Sequence, residues 1–322
     1  MNRREAIKSG ILATGAILST NFMGFRPLID TINTGGYSTI KLDIGELETF
    51  IISDGIVSLD SVQPTFAPKV SKDTVNKELK RLHINESKFE ASISVLLIKN
   101  AGKIMLLDTG AGNHMGENAG KLVGALKALN IEPTDITNIV ITHAHLDHIG
   151  GIIDEQNNIV FPSAQYHIAE REHRFWMSEQ DNSTNDAGVL FARKVLTKIK
   201  NRLNFFQYGD VLFSCLKTEL ADGHTRGHTI FSIFSGEKSI KHIVDTFHTP
   251  LLVAKPEWGT EWDADFDEAV KTRQRIIEEG ANDRTLFMSC HLPWPSLGYI
   301  DKVKGTQQWT IFPYANPTKI VI

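Results

Sequence analysis

The residues with the clearest potential for chemistry stand in one short segment, ITHAHLDHIGG, at positions 141–151. The segment places His143, His145, Asp147 and His148 close together in a chain that contains 12 histidines. Neutral imidazoles and carboxylates are ligands of Zn²⁺ and similar divalent cations. Two histidines separated by one residue at a strand end point to the same side of the chain, so His143 and His145 could share one ion. Asp147 and His148 would point elsewhere and could bind a second ion nearby.

The alternative for this segment is a polar surface loop that happens to be rich in histidine. An apolar strand precedes it, however, and Gly150 and Gly151 follow it. Four such groups held against the protein interior would be poorly satisfied without a cation. The pattern therefore favours a metal site.

The elements that must position these residues form an α/β pattern. NIVIT at 138–142 predicts a short buried strand, so the histidine cluster lies in the loop after it. Two further strands, HIV at 242–244 and TLFMSC at 285–290, lead into Asp245 and His291. Since sites are commonly built on loops over a rigid sheet, we expect the three strand ends to converge.

The segments upstream of the cluster predict a β-meander followed by a helix. YSTIKLDIGELETFIISDG at 37–55 alternates apolar and polar residues, and ASISVLLIKNAGKIMLLDTG at 91–110 predicts two strands around a tight turn. In GKLVGALKALNIEP at 120–133, leucine and valine side chains recur at helical spacing before Pro133.

Composition disfavours several classes of protein. The 322 residues are 41% hydrophobic, enough for a large core, and the formal net charge of -4 has none of the basic character of a nucleic-acid-binding protein. Cys215 and Cys290 form neither a CxxC pair nor a disulfide scaffold and are expected to be buried and free. A homodimer remains compatible with the sequence.

The first residues resemble a twin-arginine export signal. Arg3 and Arg4 precede a modestly apolar run, and this run is too short and too rich in Gly, Ser and Thr for a membrane span. We therefore expect a signal at 1–25, one enzyme domain at 36–322, no stable membrane anchor and a periplasmic or secreted protein. If the segment is only a basic N-terminal helix, a cytoplasmic protein is expected instead.

Nearly all of the chain after the signal resembles the metallo-β-lactamase superfamily, whose HxHxDH motif is matched by the cluster at 143–148. LLDTG matches the segment that precedes this motif in the family and contains Asp108, which the resemblance places in contact with a ligand. GHTRGHT contains His228, Asp245 matches the bridging aspartate, and His291 matches the C-terminal histidine. The resemblance implies an αββα sandwich, in which two mixed β-sheets bear helices on their outer faces.

The resemblance also implies two zinc ions bound by seven residues. It assigns His143, His145 and His228 to one ion, Asp147, His148 and His291 to the other, and Asp245 to both. His224, four positions before His228, is the alternative ligand and is the less favoured of the two. The chain departs from the family where the usual Gly-Asp is Val244-Asp245 and the usual Thr-Pro-Gly-His has Arg226 in place of proline. Neither departure removes a ligand.

The motifs narrow the activity within the superfamily. His145 stands where the flavodiiron oxidoreductases have Glu, which indicates zinc and hydrolysis, and Asp245 argues against a typical β-lactamase. SDG at 53–55, FPSAQYHIAEREHRFW at 161–176 and GTQQWTIFPY at 305–314 resemble a group that includes N-acyl homoserine lactonases and methyl-parathion-type organophosphate hydrolases.

His248 favours the lactonase over the organophosphate triesterase or arylesterase. It stands three positions after Asp245, where lactonases have a tyrosine that donates a hydrogen bond to the substrate carbonyl. The expected reaction is attack of a metal-bridging hydroxide on the lactone carbonyl, with one zinc and His248 stabilising the oxyanion. The leaving group would take its proton from Asp147 or from water at the second zinc. A non-catalytic metal-dependent binding module is the alternative from a different class.

The acyl chain of such a substrate needs an apolar wall. The side chains considered for it, besides His248 at the carbonyl, are Leu146, Phe175, Trp176 and Phe231. For each of these four, ordinary core packing is the favoured explanation.

Overall fold

Two mixed β-sheets stack face to face in the computed structural model of the protein, which describes residues 37–178, 186–313 and 319–321. The strands of the first sheet are β1 (Thr39–Ile44), β2 (Leu47–Leu59), β3 (Phe89–Asn100), β4 (Lys103–Leu107), β5 (Asn138–Ile141), β6 (Gln165–Ala169), β7 (Leu203–Phe206) and β15 (Lys319–Val321). The strands of the second sheet are β8 (Val211–Leu212), β9 (Leu216–Leu220), β10 (Thr229–Ser235), β11 (Lys238–His242), β12 (Phe287–Met288), β13 (Leu297–Val303) and β14 (Thr306–Ile311). Neighbouring strands follow the orders β15-β1-β2-β3-β4-β5-β6-β7 and β14-β13-β12-β11-β10-β9-β8.

Helices and short 3-10 turns connect these strands. The α-helices are α1 (Lys72–Arg81), α2 (Leu122–Ala128), α3 (Leu146–Ile149), α4 (Glu170–Met177), α5 (Ala187–Ile199), α6 (Pro250–Ala254) and α7 (Phe266–Asp283). The 3-10 turns are Gly112–His114, Pro133–Asp135, Gly150–Ile152, Lys200–Arg202, Val244–Thr246 and Pro256–Trp258.

The central strands are apolar on both faces, because one face meets helices and the other meets the second sheet. In β2, Phe50 and Ile52 belong to a core shared with α2 and α5. The alternate residue Ile51 packs in the core between the sheets, together with Phe231 and Ile240 of the second sheet. Since successive strand residues point to opposite faces, a continuous apolar run supplies both cores.

A third core closes the outer face of the second sheet. Val75 and Leu79 of α1, Ile276 of α7 and Phe287 of β12 all pack in it. The order of layers is therefore helix, sheet, sheet, helix, and the predicted αββα sandwich is confirmed.

The local predictions nearest the histidine cluster are also confirmed. β3 and β4 pair antiparallel around a tight turn that joins Asn100 to Lys103. The predicted helix is α2, and β5 ends at Ile141, two residues before His143. Cys215 and Cys290 are both buried and free.

The export signal expected at 1–25 lies outside the described residues and stays a prediction. Among the residues that are described, none of the helices combines the length and the apolar character needed to cross a membrane.

Asp54 anchors the loop between β4 and α2, which runs beside the histidine cluster. Its buried carboxylate accepts hydrogen bonds from the backbone N–H groups of Ala111, Gly120 and Leu122 at 2.8, 3.1 and 2.8 Å. Gly110 has a positive φ of 68°, and a Cβ there would lie 2.3 Å from the Asp54 carboxyl carbon. The SDG and DTG segments of the sequence therefore meet at this point.

We expect Asp54→Asn to lower the free energy of unfolding by about 1–3 kcal/mol, because the amide leaves at least one buried N–H without an acceptor. Urea denaturation at neutral pH measures this loss. The exposed Asp60, changed to Asn in the same way, is the matched control and should leave stability unaltered. Equal stability of the two variants would show that the carboxylate does not hold the loop.

Candidate metal centre

Residues from four separate loops converge on one buried site. His143 and His145 follow β5, Asp147 and His148 lie in α3, Asp245 lies in the turn after β11 and His291 follows β12. A fourth loop, after β9, brings His224. Potential ligand atoms lie within 4.8 Å of one another in two groups, one of His143, His145, His224 and Asp245 and the other of Asp147, His148, Asp245 and His291.

Asp245 belongs to both groups and lies at their centre. Its Oδ2 atom is surrounded by the Nε2 atoms of five imidazoles, at 3.5 Å (His143), 3.2 Å (His148), 3.4 Å (His224), 3.5 Å (His248) and 3.1 Å (His291). Asp147 Oδ2 lies 3.3 Å from His291 Nε2. The other Asp245 oxygen, Oδ1, is buried and has no hydrogen-bond partner among the described residues.

The outer nitrogens of several rings are bound to the protein, which aims the inner nitrogens at the centre. His148 Nδ1 donates to Asp108 Oδ2 at 2.7 Å, and His291 Nδ1 donates to the Ser92 carbonyl at 2.7 Å. Asp108 therefore contacts a cluster residue, as the resemblance implies. Such partners of the outer nitrogen are typical of metal-binding histidines because they fix the ring and its tautomer.

The electrostatics of the site fit divalent cations. Burial lowers the pKa values of His143 and His145 well below the ordinary range, so their lone pairs are available as ligands. His145 Nδ1 lies 3.0 Å from His143 Nε2 and 2.9 Å from His224 Nε2. One cation bound by all three nitrogens would account for their close spacing. Burial opposes a charge on His148, yet Asp245, Asp147 and Asp108 raise its pKa well above the usual value. The same negative field attracts metal ions, and the imidazole and carboxylate donors suit Zn²⁺ and similar divalent cations.

The structure corrects the expectation that His228 is a ligand. Its Nδ1 donates to the Ala221 carbonyl at 3.0 Å, and its Nε2 accepts the backbone N–H of Asp245 at 3.2 Å. Both ring nitrogens are thus used in hydrogen bonds, and His228 lies outside both ligand groups. It supports the backbone of Asp245, and the less favoured His224 takes its place in the cluster.

A buried ion pair that sequence analysis missed holds His224 in the cluster. His224 Nδ1 lies 3.4 Å from Asp263 Oδ1, and Arg273 Nη2 donates to both oxygens of Asp263 at 2.8 Å. Arg273 also donates from Nε to the carbonyl of Thr246, which is adjacent to Asp245. Burial opposes the charge on Asp263, but Arg273 and His224 lower its pKa well below the ordinary value. No spacing rule connects these residues, because Asp263 and Arg273 lie far along the chain from His224.

Val244, which replaces the family's usual glycine, adopts a positive φ of 46°. This left-handed conformation is unfavourable for a β-branched residue. The surrounding core compensates, since Val244 is fully buried among apolar side chains. The departure noted in the sequence therefore leaves the turn that carries Asp245 intact.

His248 lies beside the cluster and lines a cavity of about 370 Å³ that reaches it. The ring is almost fully buried and stacks on His291 with centroids 5.3 Å apart, and Trp262 packs against it at 5.2 Å. Neither of its nitrogens makes a hydrogen bond among the described residues. Burial lowers the pKa of His248 to about 4, so the ring is neutral at pH 7 and has one N–H to donate.

The four apolar side chains expected to form the substrate wall do not line this cavity. Phe175 and Trp176 pack in the core beneath the first sheet, and Phe231 packs between the sheets. Leu146 is half-buried on α3. The cavity is lined instead by residues of the α1–β3 connection and β3 and by Pro250, with Ile84, Phe89 and Ala91 as apolar contributors.

Comparison with known proteins gives a family match over most of the chain. Residues 90–295 match the family model described as the metallo-beta-lactamase superfamily. A "probable metallo-hydrolase" of Mycobacterium tuberculosis is 24% identical over 193 residues, covering 48% of this chain and 56% of the relative. The N-acyl homoserine lactonase AttM of Azorhizobium caulinodans is 32% identical over 122 residues, covering 34% of this chain and 41% of the relative. The chain therefore spans about half the length of the curated relatives it matches.

Solved structures match over a larger share of the chain. AidC, described as a dizinc quorum-quenching lactonase in complex with a product, has a TM-score of 0.81 and 31% identity, covering 87% of this chain and 99% of its own. The hydrolase AbOPH has a TM-score of 0.77, with the same coverage of both chains. Its identity of 24% supports a shared fold only.

Proposed function

Because the chain belongs to the metallo-beta-lactamase superfamily, we propose that it is a dizinc hydrolase that opens the ring of N-acyl homoserine lactones. The observation that carries the proposal is the position of His248, whose Nε2 lies 3.5 Å from Oδ2 of the shared carboxylate of Asp245 and whose ring lines the adjoining cavity. The likeness to AidC and AttM, each described as a lactonase, supports the choice of substrate.

We infer the metal positions from the two ligand groups. His143, His145 and His224 would hold the first cation, Asp147, His148 and His291 the second, and Asp245 both. When bound, two divalent cations lower the pKa of water towards neutrality and polarise a carbonyl group, which is the chemistry that hydrolysis requires. Zinc is proposed because the donors are imidazole and carboxylate.

His248 supplies the hydrogen bond that matters most during ring opening. As water adds to the carbonyl carbon, negative charge grows on the carbonyl oxygen, and a neutral N–H directed at that oxygen stabilises it. Because the ring is held by His291 and Trp262, little reorganisation is needed when the charge develops. The neutral state of His248 also means that it donates this bond across the whole physiological pH range.

Asp147 is suited to transfer the proton that the leaving group needs. Its side chain is 17% exposed, whereas that of Asp245 is 2% exposed, so substrate can reach Asp147. The bond between the carbonyl carbon and the ring oxygen breaks, the ring oxygen takes a proton through Asp147, and the water oxygen remains on the new carboxylate. The product is the open-chain N-acyl homoserine.

The cavity beside His248 is the proposed site of the acyl chain. Phe89 and Ala91 are buried on β3, and Ile56 and Ile84 add further apolar surface. Apolar walls with a few placed polar groups are typical of small-molecule sites. His248 and His291 are the polar lining residues that also belong to or contact the cluster, and Asn85, Lys88 and Glu90 add polar side chains elsewhere in the lining.

Removal of metal gives the direct test of this function. We expect chelator-treated protein to lose lactone opening and two equivalents of Zn²⁺ to restore it, measured by proton release from N-hexanoyl homoserine lactone.

A kcat/KM panel should rank homoserine lactones above aryl esters, paraoxon-type triesters and a cephalosporin. Preference for the triester would replace the lactonase with an organophosphate hydrolase. Turnover that survives complete metal removal would exclude the metal mechanism, and metal binding without any turnover would indicate a binding module.

A further inference from the structure

Glu172 on α4 is a fully buried carboxylate that the proposed mechanism does not use. Its Oε1 atom accepts hydrogen bonds from the backbone N–H of Ala144 at 3.0 Å and from Trp176 Nε1 at 2.5 Å. Its Oε2 atom accepts a hydrogen bond from Thr225 Oγ1 at 2.6 Å. All three partners are donors, so the side chain acts only as an acceptor.

The three donors lie beside the ligands of the first cation. Ala144 stands between His143 and His145, and Thr225 directly follows His224. The Trp176 ring packs edge-on against His145 with centroids 5.4 Å apart. We propose that Glu172 is a positioning residue that joins the two loops carrying His143, His145 and His224 and thereby sets the geometry of the first cation position. The inference rests on the proposed two-cation centre.

The loop after β9 fits closely against α4 at this point. A Cβ added to Gly227 would lie 2.4 Å from the backbone nitrogen of Glu172, so only glycine allows this approach. Arg171, the residue before Glu172, donates to the Arg226 carbonyl and to Asp222. The helix therefore holds the loop along several residues, and Glu172 is the one that also reaches the loop carrying His143 and His145.

Energetics favour a positioning role over a purely stabilising one. Burial raises the pKa of Glu172, and the three hydrogen bonds lower it by a smaller amount, so the net pKa is above the ordinary value. The charged form is therefore costly to bury at this position. Well-packed apolar residues commonly stabilise a protein as much as a buried charged group does. The carboxylate differs from such a residue in making directional contacts with both ligand loops.

Cation affinity tests the inference without relying on turnover. Zn²⁺ competition against a chromophoric chelator and the absorption spectrum of Co²⁺-loaded protein are measured for Glu172→Leu, Glu172→Gln and Thr225→Val. The binding step that disappears in His224→Ala identifies the first position. Glu170→Gln is the control on the same helix, since the Glu170 side chain is 46% exposed and lies outside the site.

We expect Glu172→Leu and Thr225→Val to weaken binding at the first position by about 10-fold or more, the range found for residues that orient metal ligands. The Co²⁺ spectrum of that position should change as well, while the second position stays within about twofold of the unmodified protein. Glu172→Gln should restore most of the affinity, because its amide oxygen can accept from Ala144 and Trp176 and its NH₂ can donate to Thr225 Oγ1.

Two results would overturn the inference. One is unchanged affinity and spectrum in Thr225→Val and in folded Glu172→Leu. The other is an equal loss at both positions that follows a fall in Tm, which would mean that Glu172 serves general stability. These measurements do not involve lactone. A protein that binds two cations but opens no lactone would refute the proposed function, and the same measurements would still test the role of Glu172.

Discussion

His224→Ala is expected to remove one of two cation positions, whereas His228→Ala should retain both. His224 belongs to the ligand group with His143 and His145, while both nitrogens of His228 are used in hydrogen bonds to Ala221 and Asp245. Loss of a ligand should weaken cation binding by more than the roughly 10–100-fold that is typical when only a hydrogen-bond partner of a ligand is lost. The rate of lactone opening should fall as the cation is lost.

Metal content by atomic emission, after loading with excess Zn²⁺ and removal of free ion by gel filtration, distinguishes the two variants. His224→Ala should retain about one equivalent and His228→Ala about two, in keeping with the two ligand groups. The second variant should lose stability instead, by on the order of 2–4 kcal/mol, because it leaves a cavity and breaks two buried hydrogen bonds. The reverse pattern of metal content would restore His228 as the ligand.

His248→Phe is expected to lower kcat on homoserine lactones by about 10²–10³-fold, the effect of removing one hydrogen bond to a developing oxyanion. Phenylalanine keeps the stacking on His291 and the edge-on contact with Trp262 but has no N–H. An activated aryl ester should lose much less rate, because its good leaving group requires less polarisation of the carbonyl. Metal content should stay unchanged, since His248 belongs to neither ligand group.

The comparison of the two substrates in the same variant is the decisive measurement. Phe66→Leu is the control. It changes a ring whose centroid lies 6.0 Å from that of His248, but it removes no hydrogen-bond donor. Equal losses on lactone and ester in His248→Phe would assign His248 a role in shaping the cavity and exclude the proposed hydrogen bond. A lactone loss in Phe66→Leu as large as that in His248→Phe would lead to the same conclusion.

Much of the fold and half of the site follow from local features of the sequence. The alternation in 37–55, the two strands around a tight turn in 91–110, the helical spacing before Pro133 and the short strand NIVIT all depend on neighbours within a few residues. Each corresponds to an element of the structure. The same locality explains why HxHxDH was informative: its histidines and Asp147 lie on one strand end and the first turn of a helix, so their proximity needs no distant contact.

The remaining assignments depend on contacts between distant segments. His224 and His228 have the same chemistry and similar glycine-rich surroundings, and distant contacts distinguish them. Asp263 packs behind His224, whereas the backbone N–H of Asp245 donates to Nε2 of His228. Phe175, Trp176 and Phe231 have the composition of a substrate wall, but the faces of α4 and β10 that carry them turn into cores. Glu172 has no sequence signal at all, because its three donors lie on different elements.

The sequence by itself thus determined the class of chemistry and the layered fold, since periodicity and close spacing are properties of short segments. Only the tertiary structure decided which histidine completes the first cation position and which side chains face the cavity. The physical reason is that a ring nitrogen becomes a ligand or a structural hydrogen-bond acceptor according to the group that the packing of distant segments brings opposite it. For His228 Nε2 that group is the backbone N–H of Asp245. His224 Nε2 instead faces His145 and the Asp245 carboxylate, and Asp263 lies behind its other nitrogen.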